Sequence, residues 1–282
     1  MKDRIFKFAL FTASCLILLL AAGVVYALVS GSWDIFSAIG FRNFILSSEW
    51  DPQTDRYGAL PFIAGTLITA FLALFFCIPF SLSVALFNGE YFKGKKIAGI
   101  LGALTDLLAG IPSIVYGLWG FYILRPLFIE WGINDQGFGI LLASSILAVM
   151  IIPYASSLST EFISMVSNEL KEGAYSLGAT RLEVIRMVGL PAAGSGIFAS
   201  YVLALGRALG ETMAVTMLIG NTNNIPTSLA DTGNTMAAVI ANQFGEAGGL
   251  KLSSLMALGL VLFLITAVIN FIAGSIMKPI KK

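Results

Sequence analysis

Six apolar runs divide the chain, at residues 8–29, 60–87, 97–124, 137–157, 192–220 and 252–276. Each is long enough for a helix to cross a bilayer, which takes ~20 residues. Pro79, Pro112 and Pro153 fall inside runs. A soluble helix would break at these positions, but packed membrane helices tolerate such kinks. The first run follows Lys2, Arg4 and Lys7, as a signal peptide would. It is longer than a typical signal core of ~7–15 residues, so it reads as an uncleaved anchor.

Composition agrees with this pattern. Of 282 residues, 57% are hydrophobic and 12% charged, and the mean hydropathy is +0.87. A soluble domain carries closer to ~25% charged residues. The predicted fold is an all-α integral membrane protein with six transmembrane helices, one transmembrane domain over 1–282. The net charge of +1 gives no basis for nucleic-acid binding. With no histidine, imidazole metal sites and His-based catalysis are excluded. Cys15 and Cys77 sit in apolar runs outside any CxxC pattern and read as small buried hydrophobes. No phosphate-binding P-loop motif occurs. Nothing pairs a nucleophile with a base, so no catalytic residue, metal site or cofactor site is expected in this chain.

Charge orients the runs. Twelve of the 17 Lys and Arg residues lie at the two ends and in segments 88–96 and 158–191. Four lie in the three other connections, and Arg207 lies within a run. The positive-inside rule places both termini in the cytoplasm. Trp33, Trp50, Trp119 and Trp131 then read as interfacial belts.

Segment 158–191 is far longer than a connector needs, since helices can be joined by ~2–8 residues. Within it, Leu170, Ala174 and Leu177 lie near one face of a short helix. Gly178 sits where a left-handed turn would end that helix. Thr180 and Glu183 have capping-box spacing for a second helix, which carries Leu182, Ile185 and Val188. Pro191 marks the return to the membrane. A capped two-helix element of this size suits either the bilayer surface or a soluble partner.

Two full charges interrupt the fifth run. Arg207 and Glu211 are four residues apart, so a continuous helix would put them on one face. Each central charge costs roughly 2.5–3.5 kcal/mol to insert. A self-neutralising pair is one reading. An anion pathway is the other: a planar guanidinium matches a tetrahedral oxyanion, and Glu211 could hold Arg207 or limit how tightly the anion binds. Asp106 is a third charge, near the start of the third run. It reads as a headgroup-level residue or a partner for a neighbouring helix. Gly110, Pro112 and Gly117 would let helices pack closely there.

The order Glu172-Gly173-Ala174, three residues, Gly178, nine residues, Val188-Gly189-Leu190-Pro191 resembles the EAA loop of ABC importer permeases. Gly173 stands where that family has alanine, and Val188 where it has isoleucine. The stretches 48–70, 107–120 (LLAGIPSIVYGLWG), 149–154 (VMIIPY) and 205–222 (LGRALGETMAVTMLIGNT) look like permeases of the phosphate-specific ABC importer, of the PstC type. The connection 125–136 is short where some relatives carry an insertion. The resemblance implies a type I importer permease in a bacterial cytoplasmic (inner) membrane. It implies a PstA-type second permease, a dimer of PstB-type ATPase subunits that use ATP and Mg, and a PstS-type extracytoplasmic phosphate-binding protein. Glu172, Gly173, Ala174, Gly178, Leu190 and Pro191 would couple to the ATPase, while Arg207 and Glu211 would serve phosphate. A permease for molybdate or sulfate and a proton-coupled secondary transporter using Glu211 are the alternatives; a scaffold without a conduit is a third.

Overall fold

The computed structural model describes residues 2–276, and Lys278, Lys281 and Lys282 of the basic C-terminus lie outside them. In chain order the helices begin with α1 (Lys2–Gly31), α2 (Trp33–Ile39) and α3 (Phe41–Leu46). A two-stranded hairpin follows, β1 (Trp50–Asp51) with β2 (Arg56–Tyr57). Then come α4 (Leu60–Leu86), α5 (Lys96–Gly110), α6 (Ser113–Trp119), α7 (Arg125–Glu130) and α8 (Ile140–Ser164). The connection between the fourth and fifth spans holds α9 (Asn168–Ser176) and α10 (Arg181–Glu183). The chain ends with α11 (Leu190–Leu209), α12 (Met213–Leu218), α13 (Met236–Gln243) and α14 (Gly249–Ile276). Short π-helical turns extend α4 over Phe87–Tyr91, extend α6 over Gly120–Leu124, and join α10 to α11 over Val184–Gly189.

Among the described residues, five helical stretches are long and apolar enough to cross a membrane, and α5 with α6–α7 makes a sixth that bends by 93°. The centre is α8, packed between α4 and α11. Small residues permit this. On α4, Thr66, Ala70, Ala73, Cys77, Ser81 and Ala85 recur every three or four residues and are all buried. Such a stripe brings backbones together, where dispersion and interhelical hydrogen bonds replace the hydrophobic drive that lipid removes. Gly196 of α11 shows how close the approach is. A Cβ there would lie 2.1 Å from the Phe162 ring of α8. Nearby, the Ser159 and Ser200 hydroxyls meet at 2.6 Å across the same pair of helices.

Helix α1 differs. None of its most apolar window is buried within this chain, and it touches α14 only near its end, where Gly31 meets Met256 and Leu28 meets Gly259. Cys15 on α1 is therefore exposed to lipid or a neighbour, while Cys77 is buried as expected. Trp50 is not a belt residue. It is buried in the hairpin against Tyr57 and Phe62, and its indole N–H donates to Gln243 at 3.3 Å.

On that same side, segment 220–235 is ordered by its own turns. The Asp231 carboxylate accepts from the Thr227 and Ser228 amides and the Thr227 hydroxyl at 2.8–2.9 Å. These bonds favour the charged form and hold its pKa below the ordinary value.

Two runs that read as single spans are broken. Pro112 disfavours helical geometry at Ile111, which is extended at ψ 128°. This separates α5 from α6. The fifth run ends its helix at Leu209, and Gly210–Thr212 separate α11 from α12. The pieces that follow the two breaks pack on each other: a Cβ on Gly117 of α6 would lie 3.2 Å from the Cα of Ala214 in α12. The fifth helix also begins earlier than its apolar run. It is continuous from Arg181 to Leu209, so Pro191 sits in the first turn of α11 within that rod rather than ending a loop.

Candidate functional site: a lone guanidinium between two broken helices

The second break changes the geometry expected for Arg207 and Glu211. Arg207 lies in the last turn of α11, and Glu211 lies beyond it. The two do not share a helix face and form no ion pair. Glu211 is 9% exposed, and its carboxylate accepts the Ala214 amide of α12 at 3.3 Å. A carboxylate at a helix start satisfies an otherwise orphan donor and opposes the positive end of the helix dipole. Glu211 is thus committed to α12 and does not hold Arg207.

Arg207 is exposed on the face this chain leaves open. Its guanidinium carbon lies 4.3 Å from the centroid of the Tyr154 ring of α8. Among the described residues no hydrogen bond or ion pair engages it. Its N–H donors are therefore free, while the ring quadrupole fixes its position. Tyr154 is the residue that sequence reading passed over. Its hydroxyl donates to the Ala109 carbonyl at 3.1 Å, and the Tyr116 hydroxyl donates to the Leu108 carbonyl at 2.9 Å. Ala109 loses its helical donor because α5 ends there, and Leu108, whose helical partner Pro112 has no N–H, takes the Tyr116 hydroxyl beside the Ile111 amide at 3.2 Å. Tyr154 therefore joins the first break to Arg207. Its position directly after Pro153 in VMIIPY was visible, but nothing in the sequence placed it opposite Arg207.

Asp106 is separate from this centre. It is exposed on α5 and lines a cavity of about 120 Å³ with Asn88, Thr105, Ser156 and Thr160. The Thr105, Ser156 and Thr160 hydroxyls donate back to their own helices. They turn lone pairs outward, and the buried Asn88 Oδ1 has no donor. The Asp106 carboxylate makes this lining ill suited to an anion.

The α9–α10 element folds around its glycine. Gly178 has φ +85°, its amide reaches the Tyr175 carbonyl at 2.9 Å, and Ala179 reaches Ala174 at 3.2 Å. These two bonds make a Schellman turn ending α9. The Thr180–Glu183 capping box is formed, and its hydrogen bonds hold the Glu183 carboxyl below its usual range. Leu170, Leu177 and Leu182 face outward, with Leu177 90% exposed, while Val184 and Ile185 turn inward. Glu172 and Gly173 are exposed and Ala174 half-buried, on the same outward element; Leu190 and Pro191 lie at the root of α11.

Comparisons with known proteins place this arrangement. The phosphate transport system permease protein PstC of Pasteurella multocida is 42% identical, over 94% of this chain and 88% of its own. The protein of the same name from Haemophilus influenzae is 41% identical over 99% and 94%. A probable ABC transporter permease protein of Bacillus subtilis, YqgH, is 34% identical over 90% and 84%. Among solved structures, a chain of a bacterial alginate ABC transporter superposes with TM-score 0.69 at 18% identity, over 100% of this chain and 98% of that one. The inward-facing MetNI methionine ABC transporter gives 0.62 at 17%, over 83% and 100%. These structural likenesses establish the type I importer permease fold. Residues 78–282 match the family model described as the binding-protein-dependent transport system inner membrane component, and the chain belongs to that family.

Proposed function

We propose that this chain is a permease subunit of an ATP-driven importer that moves inorganic phosphate across the cytoplasmic membrane. The observation that carries the reading is the uncommitted Arg207 guanidinium, held on the Tyr154 ring between two broken helices. An unpaired cation in a membrane run is costly unless a ligand uses it. A planar fork with free donors suits a tetrahedral oxyanion, and the PstC relatives are named for phosphate transport. Only half of a pathway is present here. The open face of Arg207 and Asp106 would meet a second permease of the PstA type. ATP hydrolysis belongs to PstB-type subunits docked on the outward leucines of α9 and α10, and a PstS-type binding protein would deliver phosphate from the outside. The basic residues of segments 88–96 and 158–191 support a cytoplasmic position for that docking face and for both termini.

Glu211 anchors α12 in this reading, and its charge near the path limits residence of the anion so that it can leave. The test is phosphate uptake by the double variant Arg207→Leu with Glu211→Leu, in the complete reconstituted importer and normalised to assembled complex. A pair that only neutralised itself would regain uptake. Because the two are not paired, we expect assembly without uptake. Full uptake would reject the pathway role of Arg207.

A further inference from the structure

Where the cytoplasmic element meets the membrane domain, both of its halves hold the same turn: one half contacts Glu90, the other Glu90 and Tyr91. On one half, the Lys171 ammonium of α9 donates to the Glu90 carboxylate. The pair is shielded, with side chains 10% and 12% exposed, and sits among Leu86, Ile163, Val184 and Ile185. On the other half, past the Gly178 turn, Arg181 donates to the Tyr91 carbonyl at 2.9 Å and the Glu90 carbonyl at 3.3 Å. Its guanidinium lies 4.4 Å from the centroid of the Tyr91 ring. Glu90 and Tyr91 lie in the π-helical turn that ends α4.

Stability is a poor reason for this pair. Desolvating two charges costs about as much as their attraction returns, and well-packed apolar residues often serve as well. A buried ion pair does have one property that apolar contact lacks. Neither charge is satisfied in that shielded place unless the other stays in contact with it, so the pair ties together the parts it joins. The rest of α4 is suited to carry a movement. Its 27 residues make a rod of roughly 40 Å. At the far end, a Cβ on Gly65 would lie 2.0 Å from the Asn234 carbonyl, and the Thr66 hydroxyl accepts the Met236 amide at 2.9 Å. That end abuts the ordered outer segment 220–235.

We infer that Glu90 and Lys171 are positioning residues for energy coupling: their ion pair registers α9 to α4, so that a push on the outward face of α9 moves α4 and, through it, the outer segment. The inference rests on the reading of α9 as an ATPase dock. It adds the inner face of α9 and the end of α4 to the resemblance-based set, which did not include Lys171 or Glu90.

The experiment uses the complete importer in liposomes. Lys171→Met and Glu90→Gln each break the pair, Lys171→Arg keeps it, and Glu90→Lys with Lys171→Glu reverses it. The readouts are assembled complex, ATP hydrolysis with and without solute-loaded binding protein, and solute taken up per ATP. The single variants should hydrolyse ATP with little dependence on the binding protein, and uptake per ATP should fall by about tenfold. Lys171→Arg and the reversed pair should recover most of the ratio. A merely structural pair would lower assembly and leave uptake per ATP unchanged, which would overturn the inference. So would a reversed pair no better than the single variants, since the two side chains would then act separately. If a single variant fails to assemble, the reversed pair decides by the same two ratios. Failure of the wild-type complex to carry phosphate would reject the proposed substrate instead, because dependence of hydrolysis on the binding protein is read with whichever solute that protein delivers.

Discussion

Tyr154 offers the sharpest test of the site, because its two contacts can be removed separately. The hydroxyl bond to Ala109 contributes ~1 kcal/mol net, as a typical intramolecular hydrogen bond does. The ring contact with Arg207 belongs to the lower part of the cation–π range, ~1 kcal/mol, because the guanidinium is exposed in this chain. Tyr154→Phe keeps the ring and loses the hydroxyl, and should lower kcat/KM for phosphate by about fivefold. Tyr154→Leu loses both contacts and should lower it by about 30-fold. The gap between the two variants isolates the ring. The assay is initial-rate uptake into proteoliposomes, normalised to assembled complex, in wild-type and Arg207→Lys backgrounds. Lysine keeps the charge but loses the plane that stacks on the ring. The Phe–Leu gap should therefore shrink in that background, by more than the ~0.3–0.5 kcal/mol within which independent sites add. Equal losses in Phe and Leu, or a gap unchanged by Arg207→Lys, would refute the claim that the ring positions the guanidinium.

Two further outcomes follow from the α9–α10 element and the charge pattern. Gly178→Val places a β-branched residue at φ +85°, a left-handed conformation costing L-residues roughly 1–2 kcal/mol; ATPase copurification with the importer should fall, and normal copurification with normal stimulated hydrolysis would reject the role of this turn. For orientation, cysteines at the exposed Gln53 and Ser176, in a chain lacking Cys15 and Cys77, should react with an impermeant thiol reagent from outside and only after permeabilisation, respectively; the reverse would overturn both the topology and the docking argument.

Sequence alone determined the features that depend on neighbours along the chain. Apolar runs longer than a bilayer require helices, because lipid offers no partner to a backbone amide. The turn at Gly178 and the Thr180–Glu183 capping box were legible because each is closed within six residues. The small-residue stripe of α4 was likewise present in the sequence, although its partner was not. Tertiary structure decided what depends on distant contacts. Pro112 announces a kink, but a 93° bend needs Tyr154 and Tyr116, on α8 and α6, to satisfy the freed carbonyls. The four-residue spacing of Arg207 and Glu211 predicts a shared face only while the helix continues. Here Gly210 ends it, Glu211 caps the next helix, and Tyr154 rather than Glu211 faces the guanidinium. Lys171 and Glu90 are 81 residues apart, and each reads as an ordinary solvated charge. Only the fold brings Lys171 of α9 against Glu90 in the turn after α4 and takes both out of water together, and a charge with its water removed is stable only against a partner.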